Sequence, residues 1–228
     1  MDFMKILKSL EAFVFEVITW LVFYPITFWK VLRHPMQMMG HAFAEDADHP
    51  EGHYDAMLSP PIFLAISIGL AHLLELGMGV ENDLPEILDG EQNLLGFRIL
   101  VFSIFPLVLA IRYLRRRGMA IDRPNLRPPF YAQGFVIAPY AMVVGMVPVV
   151  AGLFAGTDGQ VDAERGVAIL LAMIGALLLA TIWYVAIQAN WFAHKLNISI
   201  AKGAWHAIVC YFQALVIVIA ITSIIDYF

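Results

Sequence analysis

Charge is what this sequence has least of. Only 14% of its 228 residues are Asp, Glu, Lys or Arg, whereas 61% are hydrophobic; soluble domains hold about 25% charged and about 45–50% apolar residues. So few charges cannot clothe a water-facing surface of this length, which excludes an ordinary soluble domain and expects a membrane protein. Cysteine is nearly missing as well. Cys210 stands alone, excluding an intrachain disulfide framework and any zinc or iron–sulfur centre built on several thiolates. Catalytic signatures are absent: there is no G-x-S-x-G elbow, no H-E-x-x-H pair and no phosphate-cradling glycine loop. Ser59, ahead of Pro60-Pro61, reads as a helix cap rather than a nucleophile. The expectation is a chain with no enzymatic activity, no cofactor and no metal centre. A net charge of −5 gives no general attraction to nucleic acid, and no nucleic-acid partner is expected. The first 30 residues carry Glu11 and Glu16 and no small-residue cleavage site, so they do not read as a cleaved signal peptide.

What the sequence does have is long apolar runs. A hydrocarbon core of about 30 Å needs roughly 20 apolar residues in a helix. Five stretches qualify, near Ile62–Val80, Phe97–Leu114, Phe130–Ala155, Val167–Phe192 and Ala204–Ile225. A sixth, Phe13–Trp29, is shorter, contains Glu16 and Pro25, is crowded with aromatics and is flanked by Lys5, Lys8, Lys30 and Arg33. Those features favour an interfacial or re-entrant amphipathic helix over a span. The expected fold is therefore all-α: a polytopic bundle of five transmembrane helices over residues 59–228. Residues 1–58 precede it as a cytoplasmic amphipathic helix and an acidic, His-containing loop.

Lys and Arg orient the chain. With five spans and a cytoplasmic amino terminus, only Arg98 and Arg165 of the 14 basic residues fall outside, a strong positive-inside signal. A sixth span would add Lys5 and Lys8 to the outside. In either arrangement the carboxy terminus is outside. The outer loops are acidic, around Glu81–Glu91 and Asp158–Glu164. The expected location is a bacterial inner membrane, resting on small size and short loops.

Ionisable and amide side chains inside hydrocarbon are costly and therefore candidates for function. His72 and Glu75 share a face of the first span, with Ser67 a turn earlier; they read either as a proton- or cation-handling pair or as a hydrogen-bonded pair at the interface. Thr181, Tyr184, Gln188 and Trp191 form a polar stripe on the fourth span, and His206, Cys210 and Gln213 repeat it on the fifth. Such stripes line a water-filled path or act as glue between helices. Pro139 and Pro148, with Gly145 between them, interrupt the third span and are expected to break it, freeing carbonyls near the midplane.

Two connecting segments carry their own signals. His41, Glu45, His49 and His53 recur every four residues, as a metal-binding helix face would require, but Pro50 and Gly52 favour a solvated extended loop over His41–Asp55. The connector Arg112–Arg127 contains Arg115, Arg116, Arg117, Arg123 and Arg127. It fixes topology and supplies a surface for anionic lipid headgroups.

The order of parts resembles the Yip-type families of five-span membrane proteins, including bacterial members labelled permeases. The likeness rests on the amphipathic segment FYPITFWKVLRHPMQM, the opening YDAMLSPPIFLAIS of the first span, and the junction IWYVAIQANWFAHKLNISIAKGAWHAIV. In place of the family's Asp-Leu-x-Gly-Pro motif this chain has Asp55 and Pro60, one residue further apart and without the Leu-x-Gly between them. The resemblance implies a five-helix bundle, no cofactor, and a role in membrane organisation or trafficking.

Two classes of function remain. A small channel or secondary transporter for an ion or small solute, with its pore at a homo-oligomer axis, would use His72, Glu75, Gln188, His206 and Gln213, shaped by Pro139 and Pro148. A non-catalytic scaffold or accessory subunit would dock a larger membrane-protein partner through its helices.

Overall fold

The computed structural model describes residues 3–48, 57–79, 90–155 and 163–225. His49, His53, the Tyr54–Asp55 part of the opening motif and most of both acidic loops expected outside the membrane lie beyond the described residues. Among the described residues seven helices follow one another: α1 (Phe3–Arg33), α2 (Pro35–Asp48), α3 (Pro60–Gly77), α4 (Glu91–Arg117), α5 (Arg123–Ala155), α6 (Ala163–Leu196) and α7 (Ile200–Ile225). Six of them, all but α2, are long and apolar enough to cross a bilayer. The five expected spans correspond to α3–α7. The sixth is α1, which runs for 31 residues through Pro25 without a break.

Helices α3 and α5 form the centre of the bundle, running side by side in the same direction. Gly134 meets Pro60 near one end, and a Cβ at Gly145 would fall 2.8 Å from the Ala71 methyl 11 residues further along each helix. The interior is completed by Phe63, Phe105, Phe135, Tyr184, Trp191 and Phe192, all buried. Helices α6 and α7 make a hairpin whose turn uses Asn197 at φ 51°. Gly203 sits so tightly on the Ala189–Ala193 backbone that a Cβ there would collide with the Ala189 carbonyl.

Two expectations are corrected. The segment from His41 to Asp48 is helical, as part of α2, rather than extended. Pro35 occupies the first turn, where a missing N–H costs nothing. Met38, Met39 and Ala42 then bury against the bundle, so packing stabilises the helix there. The third span is likewise not broken. Helix α5 continues through Pro128, Pro129, Pro139 and Pro148, as a packed transmembrane helix can when neighbours hold it. Gly145 serves close approach to α3 rather than a break.

At the Pro60 end of α3, Ser59 holds the cap position with extended backbone and Pro60 follows, but its side chain makes no capping bond. Helix α4 stops at Arg117 because Gly118 adopts the left-handed conformation at φ 65°. The Met119 N–H then returns to the Leu114 carbonyl at 3.0 Å, a standard glycine-terminated end. Arg115, Arg116 and Arg117 are thereby exposed at one end of the bundle, here called the basic end.

Candidate functional site: two charged nodes on α4

Helix α4 carries Arg98, Phe105 and Arg112 seven residues apart, a spacing that keeps all three near one face. Arg98 and Arg112 are about 21 Å apart along the axis at 1.5 Å per residue. Each arginine forms a node with a neighbouring helix.

At the Arg98 node, Glu75 of α3 is grasped by both terminal nitrogens of the guanidinium, Nη1 to Oε2 and Nη2 to Oε1, the latter at 3.0 Å. Arg98 Nη1 also lies 3.3 Å from His72 Nδ1. Arginine has only donors, so His72 accepts through Nδ1 and carries its ring proton on Nε2. That Nε2 is buried with no protein hydrogen-bond partner among the described residues. The Glu75 side chain is 1% exposed and Arg98 20%, so the pair is largely out of solvent. A fork on a carboxylate adds geometric specificity to charge. His72 and Glu75 thus come together as their spacing predicts, while the cation between them was missed. Arg98 has one sequence signal, its position as the lone cation in the first two turns of an apolar helix.

At the second node, Arg112 Nε and Nη2 both approach His206 Nδ1 of α7 at 3.1 Å. By the same donor logic His206 accepts from Arg112. Phe192 of α6 packs its ring 5.7 Å from the His206 ring.

Between the nodes lies a band of packed rings. Tyr140 and Tyr184 stack at 5.2 Å, Phe105 touches both together with Tyr211, and the Tyr140 and Tyr211 hydroxyls meet at 2.7 Å. Toward the basic end Tyr113 packs on Trp191 at 5.1 Å. Phe43 of α2 meets Tyr113 edge-on and holds the Lys195 ammonium 3.7 Å from its ring centre.

The polar stripes separate on this framework. Tyr184, Gln188 and Trp191 of α6 point inward and are buried, as are His206 and Cys210 of α7. Gln213 is exposed on the outward face of α7, so it does not join them, which corrects the expected stripe on that helix. Among the described residues, both amide atoms of Gln133 on α5 and the Trp191 indole N–H are buried without protein partners, and the Tyr184 hydroxyl lies beside the Gln188 amide without a bond of ordinary geometry. Pro139 is buried and Pro148 half-buried within continuous helix. Of the connector cations, Arg115–Arg117 end α4. Arg123 and Arg127 instead begin α5, where Arg127 stacks on Tyr131 at 5.0 Å. Among the described residues no group of three His, Cys, Asp or Glu side chains could hold a metal ion; Glu45 side-chain placement is not described.

The chain matches no family model, no curated protein and no solved structure.

Proposed function

We propose that this chain is a non-catalytic accessory or scaffold subunit of a membrane assembly, and that α1 is the helix it offers to its partner. The observation carrying this reading is the position of Glu16. Helix α1 packs on the bundle from Trp20 onward, where Trp20, Phe23, Tyr24 and Phe28 meet the core. Thr27 Oγ1 accepts from the Leu58 N–H at 3.1 Å, and Tyr24 bonds Ser67 at 3.1 Å while its ring packs on Phe63. Thr27 therefore sits level with the start of α3, and Tyr24 level with Ser67, which is seven residues into α3. This antiparallel course along α3, with its length and apolarity, supports reading α1 as a sixth span. Glu16 then lies about 16 Å from Thr27 along the axis, near the middle of a core about 30 Å thick.

Glu16 is exposed and, among the described residues, accepts a hydrogen bond from Trp20 Nε1, one turn away, at 3.2 Å and from no other side chain. A carboxylate at that depth facing lipid is costly, and membrane proteins cover such groups with a neighbouring helix. Phe13, Phe15 and Leu21 beside it are more than 60% exposed, offering apolar area to the same partner. The resemblance to Yip-type proteins in membrane organisation points the same way, as does the engagement of Arg98, Glu75, Arg112 and His206 in holding helices together. A photoreactive phenylalanine analogue at Phe13, activated in intact membranes, tests the proposal. A crosslink to one defined membrane protein or to a second copy supports it; crosslinks to lipid alone refute it.

A transport reading has one specific observation in its favour, the unpartnered Nε2 of His72 beside the Glu75–Arg98 pair. It requires that Glu75→Gln and His72→Ala change ion or proton flux in proteoliposomes while the fold persists; unchanged flux makes the node structural.

A further inference from the structure

Where α4 ends and α7 begins, two cavities share a wall. The first, of about 720 Å³, is bordered by Arg116, Arg117, Lys202 and His206. The second, of about 810 Å³, is a groove along the outer seam of the two helices, lined by Val108, Ile111, Ile208, Phe212 and Val216, with Arg112 and Arg115 also on its wall. Trp205, 64% exposed, borders both.

The chemistry of the two cavities differs in a directed way. Among the described residues no carboxylate lines either one, and none forms an ion pair with Arg115, Arg116, Arg117 or Lys202. The first cavity concentrates positive charge. The opening turn of α7 also faces it, through Ala201 and Lys202, adding the positive end of a 26-residue helix. The groove is mostly apolar, its polar groups being Arg112, Arg115 and Gln213, and it opens between α4 and α7. An indole at the join is the side chain that favours the headgroup level of a bilayer.

We propose that this corner binds one anionic glycerophospholipid, with its phosphate among Arg116, Arg117 and Lys202 and one acyl chain along the α4–α7 groove. Charge complementarity selects an anionic headgroup, and continuity with the groove selects a lipid over a soluble anion. The site narrows the expected lipid-binding surface of the connector: Arg115–Arg117 converge on it, and Lys202 and Trp205 join them. It lies on a different face from α1, which packs on α2, α3 and α5, and so stands independently of partner docking.

The test is native mass spectrometry of the full chain in mild detergent, titrated with phosphatidylglycerol or phosphatidylcholine. The wild-type chain should retain one phosphatidylglycerol in preference to phosphatidylcholine. Neutralising Arg116, Arg117 and Lys202 singly to Gln should weaken that occupancy about fivefold each; all three are exposed, so folding is not at stake. Ile208→Trp, which fills the groove, should reduce lipid retention without altering the charge. Equal retention of the two lipids by the wild-type chain would overturn the proposal. So would displacement by inorganic phosphate together with indifference to Ile208→Trp, which would identify a free-anion site.

Discussion

Arg98 and Glu75, on adjacent helices and 23 residues apart in sequence, form a two-pronged ion pair with the carboxylate side chain almost wholly buried. Such a pair is weak evidence for net stabilisation, because desolvation offsets attraction, but removing one member strands the other. The pair therefore ties α3 to α4 more by what its loss would cost than by what it adds.

The first prediction follows from that asymmetry. Arg98→Ala should destabilise the bundle by about 3–5 kcal/mol, whereas Arg98→Met combined with Glu75→Leu should cost much less. Thermal unfolding in detergent, followed by circular dichroism, reads both. Arg98→Lys should fall between them, because an ammonium cannot reproduce the fork. A double variant as damaged as Arg98→Ala would show that the pair does more than satisfy itself.

How much of this was legible in the sequence depended on the range of the signal. The apolar runs were visible because bilayer thickness sets helix length locally, and His72 with Glu75 because a spacing of three is local too. Arg98 was out of reach: which cation meets Glu75 depends on how two helices rotate against each other. The same ignorance of rotation put Gln213 on an inward stripe, when it faces outward. The helix from His41 to Asp48 is hidden because Pro50 and Gly52 signal a break that does not extend to the residues upstream of them, while the burial of Met38, Met39 and Ala42 is a tertiary effect. Pro139 and Pro148 misled for a related reason, since packing carries α5 through both.

A second prediction concerns backbone approach. Gly203→Ala should destabilise the α6–α7 hairpin by about 1–3 kcal/mol, the usual cost of overpacking, because its Cβ would strike the Ala189 carbonyl, which is backbone and cannot swing aside. Gly175→Ala, with nothing within 4 Å of its added Cβ, should be neutral or stabilising by up to about 1 kcal/mol through helix propensity. The comparison of their melting temperatures in one detergent checks the pair; equal behaviour would refute the close packing at Gly203.

Within the ring band, the Tyr140–Tyr211 hydroxyl bond should show a modest coupling. Double-mutant cycles with Tyr140→Phe and Tyr211→Phe should give about 0.6 kcal/mol, the average for hydrogen bonds between membrane helices. Coupling indistinguishable from zero would mean that the rings hold the band together and the hydroxyls do not.

Topology supplies a fourth prediction. A six-span chain has both termini on one side of the membrane. Cysteine placed at Lys5 in a Cys210→Ala background should react with a membrane-impermeant maleimide from the same side as cysteine placed at Phe228. Labelling from opposite sides would return α1 to the interface and remove the basis for placing Glu16 at mid-membrane depth.

The most direct test of the account is native mass spectrometry of the chain extracted gently with its neighbours, compared with Glu16→Leu. The account predicts a stoichiometric assembly, with a second copy or with another membrane protein, that weakens when the carboxylate is replaced. A solitary chain in mild detergent, with no crosslinked neighbour in intact membranes, would contradict it.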